Sequence, residues 1–462
     1  MSRVSSGKMT DGNAFKLIVI FSLPLIAGSI LQQFYNMADS IIVGQFVGET
    51  ALVAVNGAFP IIFLMSSLFM GLGTGSTVMV SQFFGANDLK NLQNTVNTTY
   101  TGLIAGGIPL SIASILLANP ILNLLNVPQD ARDESYVYLV IVLAGLVGSL
   151  GYNVNTGILQ GLGDSRTPLI LLAIACLLDN ALNLLFVLVF NMGVAGAALS
   201  TIIGQFSSWI FGIIYINKKY PMIQIRPFSF KFDQSIFGKI IKLGLPAGIQ
   251  FSLFSLASMF LLRLVNQQGT SYAAGFGSAN KLDTFAFLPI QSFSIATTTF
   301  TGQNIGAGKT ERVRKGMQAT LILSIGFSLL SILVIPAGPT LMRMFTDSPA
   351  VIESGMIYLR SIMPFYSLLA VLFIINSVIR GSGESIIPMI SILIGICIIR
   401  LPAAYALEYY FGREFIYYSY PIGWLTSICV TVPYYLSGRW KNKSVTKSSE
   451  GLQAVDMSDP II

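Results

Sequence analysis

Gly161-Leu162-Gly163-Asp164-Ser165, followed by Pro168, returns as Gly381-Ser382-Gly383-Glu384-Ser385, followed by Pro388. Three further pairs keep nearly the same offset of about 220 residues. Leu23-Pro24 returns as Leu245-Pro246, and Tyr138-Leu139 as Tyr358-Leu359. Gln82-Phe83-Phe84-Gly85-Ala86 returns as Gln303-Asn304-Ile305-Gly306-Ala307. One duplication accounts for all four matches.

Outward from these repeats the chain is apolar. Of its 462 residues 53% are hydrophobic and 10% charged, against roughly 25% charged in an ordinary soluble domain. Stretches of the length needed to cross a bilayer recur at 15–46, 53–84, 95–118, 136–160, 167–190 and 194–216. A second set lies at 237–265, 278–302, 316–343, 355–379, 386–409 and 416–437. With few charges inside them, helices that satisfy their own backbone are the spanning elements to expect. The expected fold is an all-α polytopic membrane protein of about twelve spans. Each copy holds an even number, so both share one orientation, an arrangement that normally places a substrate cavity between the copies.

The corresponding segments are a tail at 1–14, a first lobe at 15–216, a basic linker at 217–236, a second lobe at 237–437 and a polar tail at 438–462, expected to be disordered. The basic residues cluster at Arg3 and Lys8, in the linker (Lys218, Lys219, Arg226, Lys231), at Lys309–Lys315 and in the tail (Arg439, Lys441, Lys443, Lys447). The opposite loops carry Glu49, Asp130, Asp133, Glu134, Asp347 and Glu414. By the positive-inside rule both termini are expected in the cytoplasm of a multi-pass plasma-membrane or inner-membrane protein. The net charge of +7 then reports topology rather than a nucleic-acid partner. The polar start, MSRVSSGKMTDGN, leads us to expect no cleavable leader. Cys176, Cys397 and Cys429 lie in apolar segments without metal or disulfide spacing. Histidine is absent, which removes the commonest proton shuttle and metal ligand.

Gln32, Tyr35, Asn36 and Asp39 fall at i, i+3, i+4 and i+7, one face of the first span. A carboxylate in mid-membrane costs about 2.5–3.5 kcal/mol on the insertion scale, so this stripe should face a watery or protein-lined interior. Asp179 and Asn183 stand one turn apart in the fifth span, beside Asn180. Asn153, Asn155 and Thr156 lie in the fourth, and Thr201 and Gln205 in the sixth. If brought together, Asp39 and Asp179 would titrate as a coupled pair. Equally, carboxylate, Asn and Thr oxygens make a hard cage for a bare cation. Proton and sodium both stay open as the coupling ion, at Asp39, Asp179 and Asn183, with no other cofactor expected.

The chain resembles the MATE family of multidrug and toxic compound extrusion transporters, over about residues 15–437. The resemblance is carried by Pro24 with Asp39, by Gln82…Gly85-Ala86 and by Gly161-x-Gly163-Asp164 with Pro168. Gly193-Val194-Ala195-Gly196-Ala197-Ala198 and Gly302-Gln303-Asn304-x-Gly306-Ala307-Gly308 complete it. It implies twelve transmembrane helices in two pseudo-symmetric six-helix lobes around a central cleft. It also implies export of organic, often cationic compounds by alternating access, as antiport against protons or sodium. In the fifth span the family's usual Asn-x-x-x-Asp stands reversed here, as Asp179-x-x-x-Asn183. Some members carry an acid in the seventh span; here the repeat equivalent of Asp39 is near Leu261, and nearby Gln250 and Ser255 are uncharged, so coupling is placed in the first lobe.

In the second half Lys281 and Asp283 stand at the start of the eighth span, Arg360 in the tenth and Arg400 deep in the eleventh. A buried Arg400 needs a partner, and Asp283 is a candidate. Gly306-Ala307-Gly308-Lys309-Thr310 lacks the earlier glycine and the strand of a phosphate loop. Gly71, Gly73 and Gly75 read as a small-residue helix contact. A lipid-linked oligosaccharide flippase of related fold is the alternative; it would have extra spans and a strongly cationic cavity. An intramembrane enzyme lacks a catalytic set here, so no enzymatic activity is expected. Small organic substrates and membrane lipids are the expected partners, nucleic acid is not, and a monomer is expected.

Overall fold

The computed structural model describes residues 8–124 and 129–446. Arg3 and Lys447, counted above as topology signals, lie outside the described residues, as do the side chains of Glu49 and Asp130. Helices account for all twelve apolar spans, and no strand occurs among the described residues.

In the first copy α1 runs Ala14–Phe46, α2 Glu49–Gly85, α3 Leu89–Leu116, α4 Ala118–Leu124, α5 Gln129–Ala144, α6 Leu146–Gly161, α7 Arg166–Leu184 and α8 Gly193–Lys219. In the second α9 runs Gln234–Gln267, α10 Thr270–Gly306, α11 Thr310–Ser331, α12 Val334–Met342, α13 Pro349–Ile362, α14 Tyr366–Gly381, α15 Ile386–Ile392, α16 Leu401–Phe411 and α17 Ser419–Leu436. Several spans are built from two helices. α5 and α6 meet at a 47° bend, and α11 and α12 at 51°. α7 continues into a π-helical turn, Leu185–Val189, and α15 into a longer one, Leu393–Arg400, that leads into α16. The α5–α6 break at Gly145 falls 220 residues before the break between α13 and α14 at Phe365, so there the duplication extends to the backbone, whereas the two π-helical turns stand at different repeat positions.

The repeated glycine–acid motif is a helix stop. After α6, Gly163 takes φ +82; its N–H bonds the Gln160 carbonyl at 2.9 Å and that of Asp164 bonds Leu159 at 2.8 Å. After α14, Gly383 takes φ +106, with Gly383 to Arg380 at 3.0 Å and Glu384 to Ile379 at 3.2 Å. This is the Schellman closure, which needs a left-handed residue and so favours glycine. The acid that follows ties down the next helix. Asp164 accepts the Thr167 N–H (3.1 Å), the Thr167 hydroxyl (2.6 Å), Lys219 Nζ (2.8 Å) and the Tyr220 hydroxyl (3.1 Å). Burial works to raise the pKa of this carboxyl, but Lys219 and Thr167 outweigh it and hold Asp164 below the usual carboxylate range. Glu384 has a lighter load, the Ile386 N–H at 3.0 Å and Lys443 at 3.0 Å.

By packing the chain forms two units. One is Ala27–Gly248; the other is Ile249–Ile462 together with Ser2–Ile26. The limits fall inside α1 and α9, shortly after Pro24 and Pro246. Within the first unit the small residues of α2 and α9 touch: a Cβ on Gly71 would lie 2.3 Å from the Gly244 carbonyl oxygen, and one on Gly75 2.6 Å from that of Ile240. The expected glycine contact is there, made by Gly71 and Gly75. α6 and α8 pack through glycines one turn apart, Gly148 against Phe206 and Gly151 against Trp209.

The second unit has an aromatic core, with Tyr417 stacked on Tyr272 and Phe276 and crossed edge-on by Tyr358. Two polar segments dock on it. The leader before α1 is held by the α10–α11 turn: Met9 N–H donates to Gln303 (2.7 Å), Arg312 to the Gly12 carbonyl (2.8 Å), and Lys309 pairs with Asp11 (2.7 Å). Lys309, in the segment that resembles a phosphate loop, is thus a clamp on the leader. The tail corrects an expectation. Residues 438–446 are not disordered: Arg439–Asn442 form a 3-10 turn, Trp440 is buried and stacks on Tyr435, and Lys443 reaches Glu384. A tryptophan one turn beyond α17 supplies apolar burial that the polar composition of the tail concealed.

Candidate functional site

The polar stripe of α1 faces α7 and α8 within the first unit. Asn183 Nδ2 donates to Asp39 Oδ1 at 2.8 Å, joining the first and fifth spans 144 residues apart in sequence. One turn along α7, Asp179 is 2% exposed. It lies close enough to Asp39 for the two carboxylates to interact electrostatically. Around Asp179 stand the hydroxyls of Ser200, Tyr35 and Thr201. Ser200 and Thr201 both donate to the Ala197 carbonyl, at 2.8 and 3.1 Å, so what they turn toward the carboxylate is lone pairs. α8 comes this near because residue 204 is glycine: a Cβ there would sit 3.2 Å from the Asp179 Cβ.

Three oxygen atoms in this cluster are buried without a hydrogen-bond partner among the described residues: both carboxylate oxygens of Asp179 and Asn183 Oδ1. Buried acceptors normally find donors, and each one left bare costs about 1–3 kcal/mol. Two carboxylates with an orphaned amide oxygen make an electron-rich pocket that a proton or a small hard cation would satisfy. Beside them is a cavity of about 60 Å³, room for a few waters at the roughly 10–15 Å³ each requires. Gln32 and Tyr35 enter it from α1, Asp179 from α7, and Thr201 and Gln205 from α8.

The other candidates have different work. Asn155 is fully buried, accepts the Tyr100 hydroxyl and donates to the Trp209 carbonyl at 2.8 Å, so it ties α3, α6 and α8 together. Asn153 and Asn180 each donate to the carbonyl four residues back, Ser149 and Cys176, at 2.9 and 2.8 Å. Asn36 is exposed and accepts from Gln32 at 3.2 Å. Among the cavity residues that were not foreseen are Tyr152 of α6 and Cys176 of α7. Tyr152 sits four residues before Thr156, on the same helix face. Cys176 precedes Asp179 by one turn. Both read as ordinary core residues until the facing helices are known.

In the second unit Leu261, the repeat equivalent of Asp39, is an apolar core residue, and Gln250 accepts from Arg380 at 2.6 Å. Asp283 lies well inside its helix, because α10 begins at Thr270, earlier than the expected 278. It accepts the Tyr358 hydroxyl at 3.0 Å and that of Tyr366. Lys281 is exposed and lies over the Phe345 ring, and Arg360 is exposed.

The MatE family profile matches twice, at residues 24–185 and 246–406, once in each copy. The chain belongs to the MatE family. It is 32% identical to the probable multidrug resistance protein YpnP of Bacillus subtilis, over 94% of this chain and 97% of that protein. It is 26% identical to the probable multidrug resistance protein NorM of Thermotoga maritima, over 93% and 94%. Among solved structures, the outward-facing conformation of a multidrug resistance MATE family transporter superimposes with a TM-score of 0.86 at 23% identity, covering 95% of this chain and 97% of that one. As a MatE protein the chain is a membrane transporter, with twelve helical spans in two six-span lobes.

Proposed function

We propose that the protein is a secondary active exporter that moves organic, often cationic compounds out of the cell by alternating access, in exchange for protons or sodium. It would lie in the plasma (inner) membrane with both termini cytoplasmic, work as a monomer and need no cofactor beyond the coupling ion. The relatives named for multidrug resistance support the export reading, and the clustering of Lys and Arg supports the orientation. The single observation behind the coupling is the meeting of Asp39, Asp179 and Asn183, with orphaned oxygens around them. Binding a cation there cancels charge and supplies the missing partner, so the lobe with and without it favours different packings.

The test is transport by purified protein in liposomes, with proton and sodium gradients imposed separately and a fluorescent organic cation as cargo. Asp39→Asn is expected to fold and to lose gradient-driven efflux, and Asp179→Asn to lose much of it. Wild-type ion-driven efflux in Asp39→Asn would remove that residue from the mechanism.

A further inference from the structure

The offset that pairs Pro168 with Pro388 and Tyr138 with Tyr358 also pairs Asn180 with Arg400. Both copies carry a polar cluster at this level. In the first, Tyr138 lies within electrostatic reach of Asp39 and Asp179. In the second, its repeat mate Tyr358 donates to Asp283. The clusters differ in charge. The first holds two acids and neutral amides. The second holds one acid, Asp283, within electrostatic reach of one base, Arg400, which stands at the position of an amide in the first copy.

Arg400 is 2% exposed, and its guanidinium lies 3.5 Å from the centre of the Tyr420 ring. Nε and Nη2, the side-on fork that grips an oxyanion, have no acceptor among the described residues. Room for the side chain is made by Gly423, where a Cβ would come 3.0 Å from that of Arg400. This buried guanidinium is not closed on a carboxylate; it faces Asp283 across two rings, being stacked on Tyr420, whose ring lies 6.1 Å from that of Tyr358, the donor to Asp283, and it balances charge over that distance. It supplies locally what the first cluster must take from solution.

We propose that Arg400 is a resident cation that makes the second cluster self-neutral, and thereby confines external cation uptake to the first cluster. This rests on the coupling reading above, which it deepens by assigning the residue that limits ion stoichiometry.

The experiment measures cations held per chain by purified protein in nanodiscs, as sodium-22 retained and as protons exchanged. Arg400→Asn, which restores the amide of the first copy, is expected to raise the cations held about twofold by freeing Asp283 of its counterion. Adding Asp283→Asn to that variant is expected to return uptake to the wild-type level. Unchanged uptake in folded Arg400→Asn protein overturns the proposal. Should that variant fail to fold, Arg400→Lys and Asp283→Asn decide. Both are expected to keep wild-type uptake, and a change in either overturns the assignment. If the wild type takes up no cation while Arg400→Asn gains one, the coupling reading falls and the role of Arg400 stands.

Discussion

Removing the Asp164 carboxylate tests whether the repeated glycine–acid motif anchors each half. Asp164→Ala strips five groups at once: the Arg166 N–H, the Thr167 N–H and hydroxyl, Lys219 and the Tyr220 hydroxyl. Breaking a buried pair from one side costs roughly 3–5 kcal/mol. Lys219 keeps a side-chain exposure of 38%, so solvent screens its share, and about 3 kcal/mol is expected. Glu384→Ala loses one N–H and one lysine that is 45% exposed, so roughly 1 kcal/mol is expected there. The assay is thermal unfolding in nanodiscs, where these losses are worth a few degrees of melting midpoint. The pH dependence has a definite sign. Asp164 is held below its ordinary value, so its contribution is fully present above the unfolded carboxylate pKa of about 4 and is lost as pH falls through the lower folded value. The gap between wild type and Asp164→Ala should therefore stay constant from neutral pH to about pH 5 and close only in stronger acid. A Glu384→Ala loss equal to or larger than that of Asp164→Ala would refute the reasoning.

Three further outcomes are expected. Gly71→Ala forces α2 off α9, since the contact is with backbone at 2.3 Å; folded yield should collapse, read by size-exclusion profile, while Gly238→Ala, with open space around its Cβ, should leave it unchanged. Asn155→Leu frees the Tyr100 hydroxyl and the Trp209 carbonyl and should cost about 2 kcal/mol; ion dependence of efflux should keep its wild-type shape, and a shifted dependence would move Asn155 into the coupling site. Trp440→Ala removes a buried ring stacked on Tyr435 and should lower the melting midpoint by a few degrees with wild-type ion preference.

The fold was legible because a bilayer imposes one rule on every span, and because the copies repeat their motifs. The polar stripe of α1 was legible for a related reason: four polar side chains on one face of an apolar helix must be matched by something opposite. What stands opposite was not. Asn155 and Asn183 are both fully buried asparagines, yet one ties helices through Tyr100 and Trp209 while the other holds Asp39. No local pattern separates them, because the difference lies in the facing helix. Tyr152 and Cys176 escaped for the same reason. Trp440 escaped because its polar neighbours masked a single anchor.

The leading segment also bears on how the molecule is made. Met9 is gripped by Gln303, 294 residues away, and the described segment before residue 27 packs with the unit whose remainder is synthesised last. The segment from Met9 to Gly12 must therefore wait for α10 and α11 before it finds its place. The start of α9 is lodged in the first unit, so a cut in the linker would part the first unit from the opening of α9 and the second unit from the opening of α1. What began as two copies of one gene segment has become an indivisible inheritance.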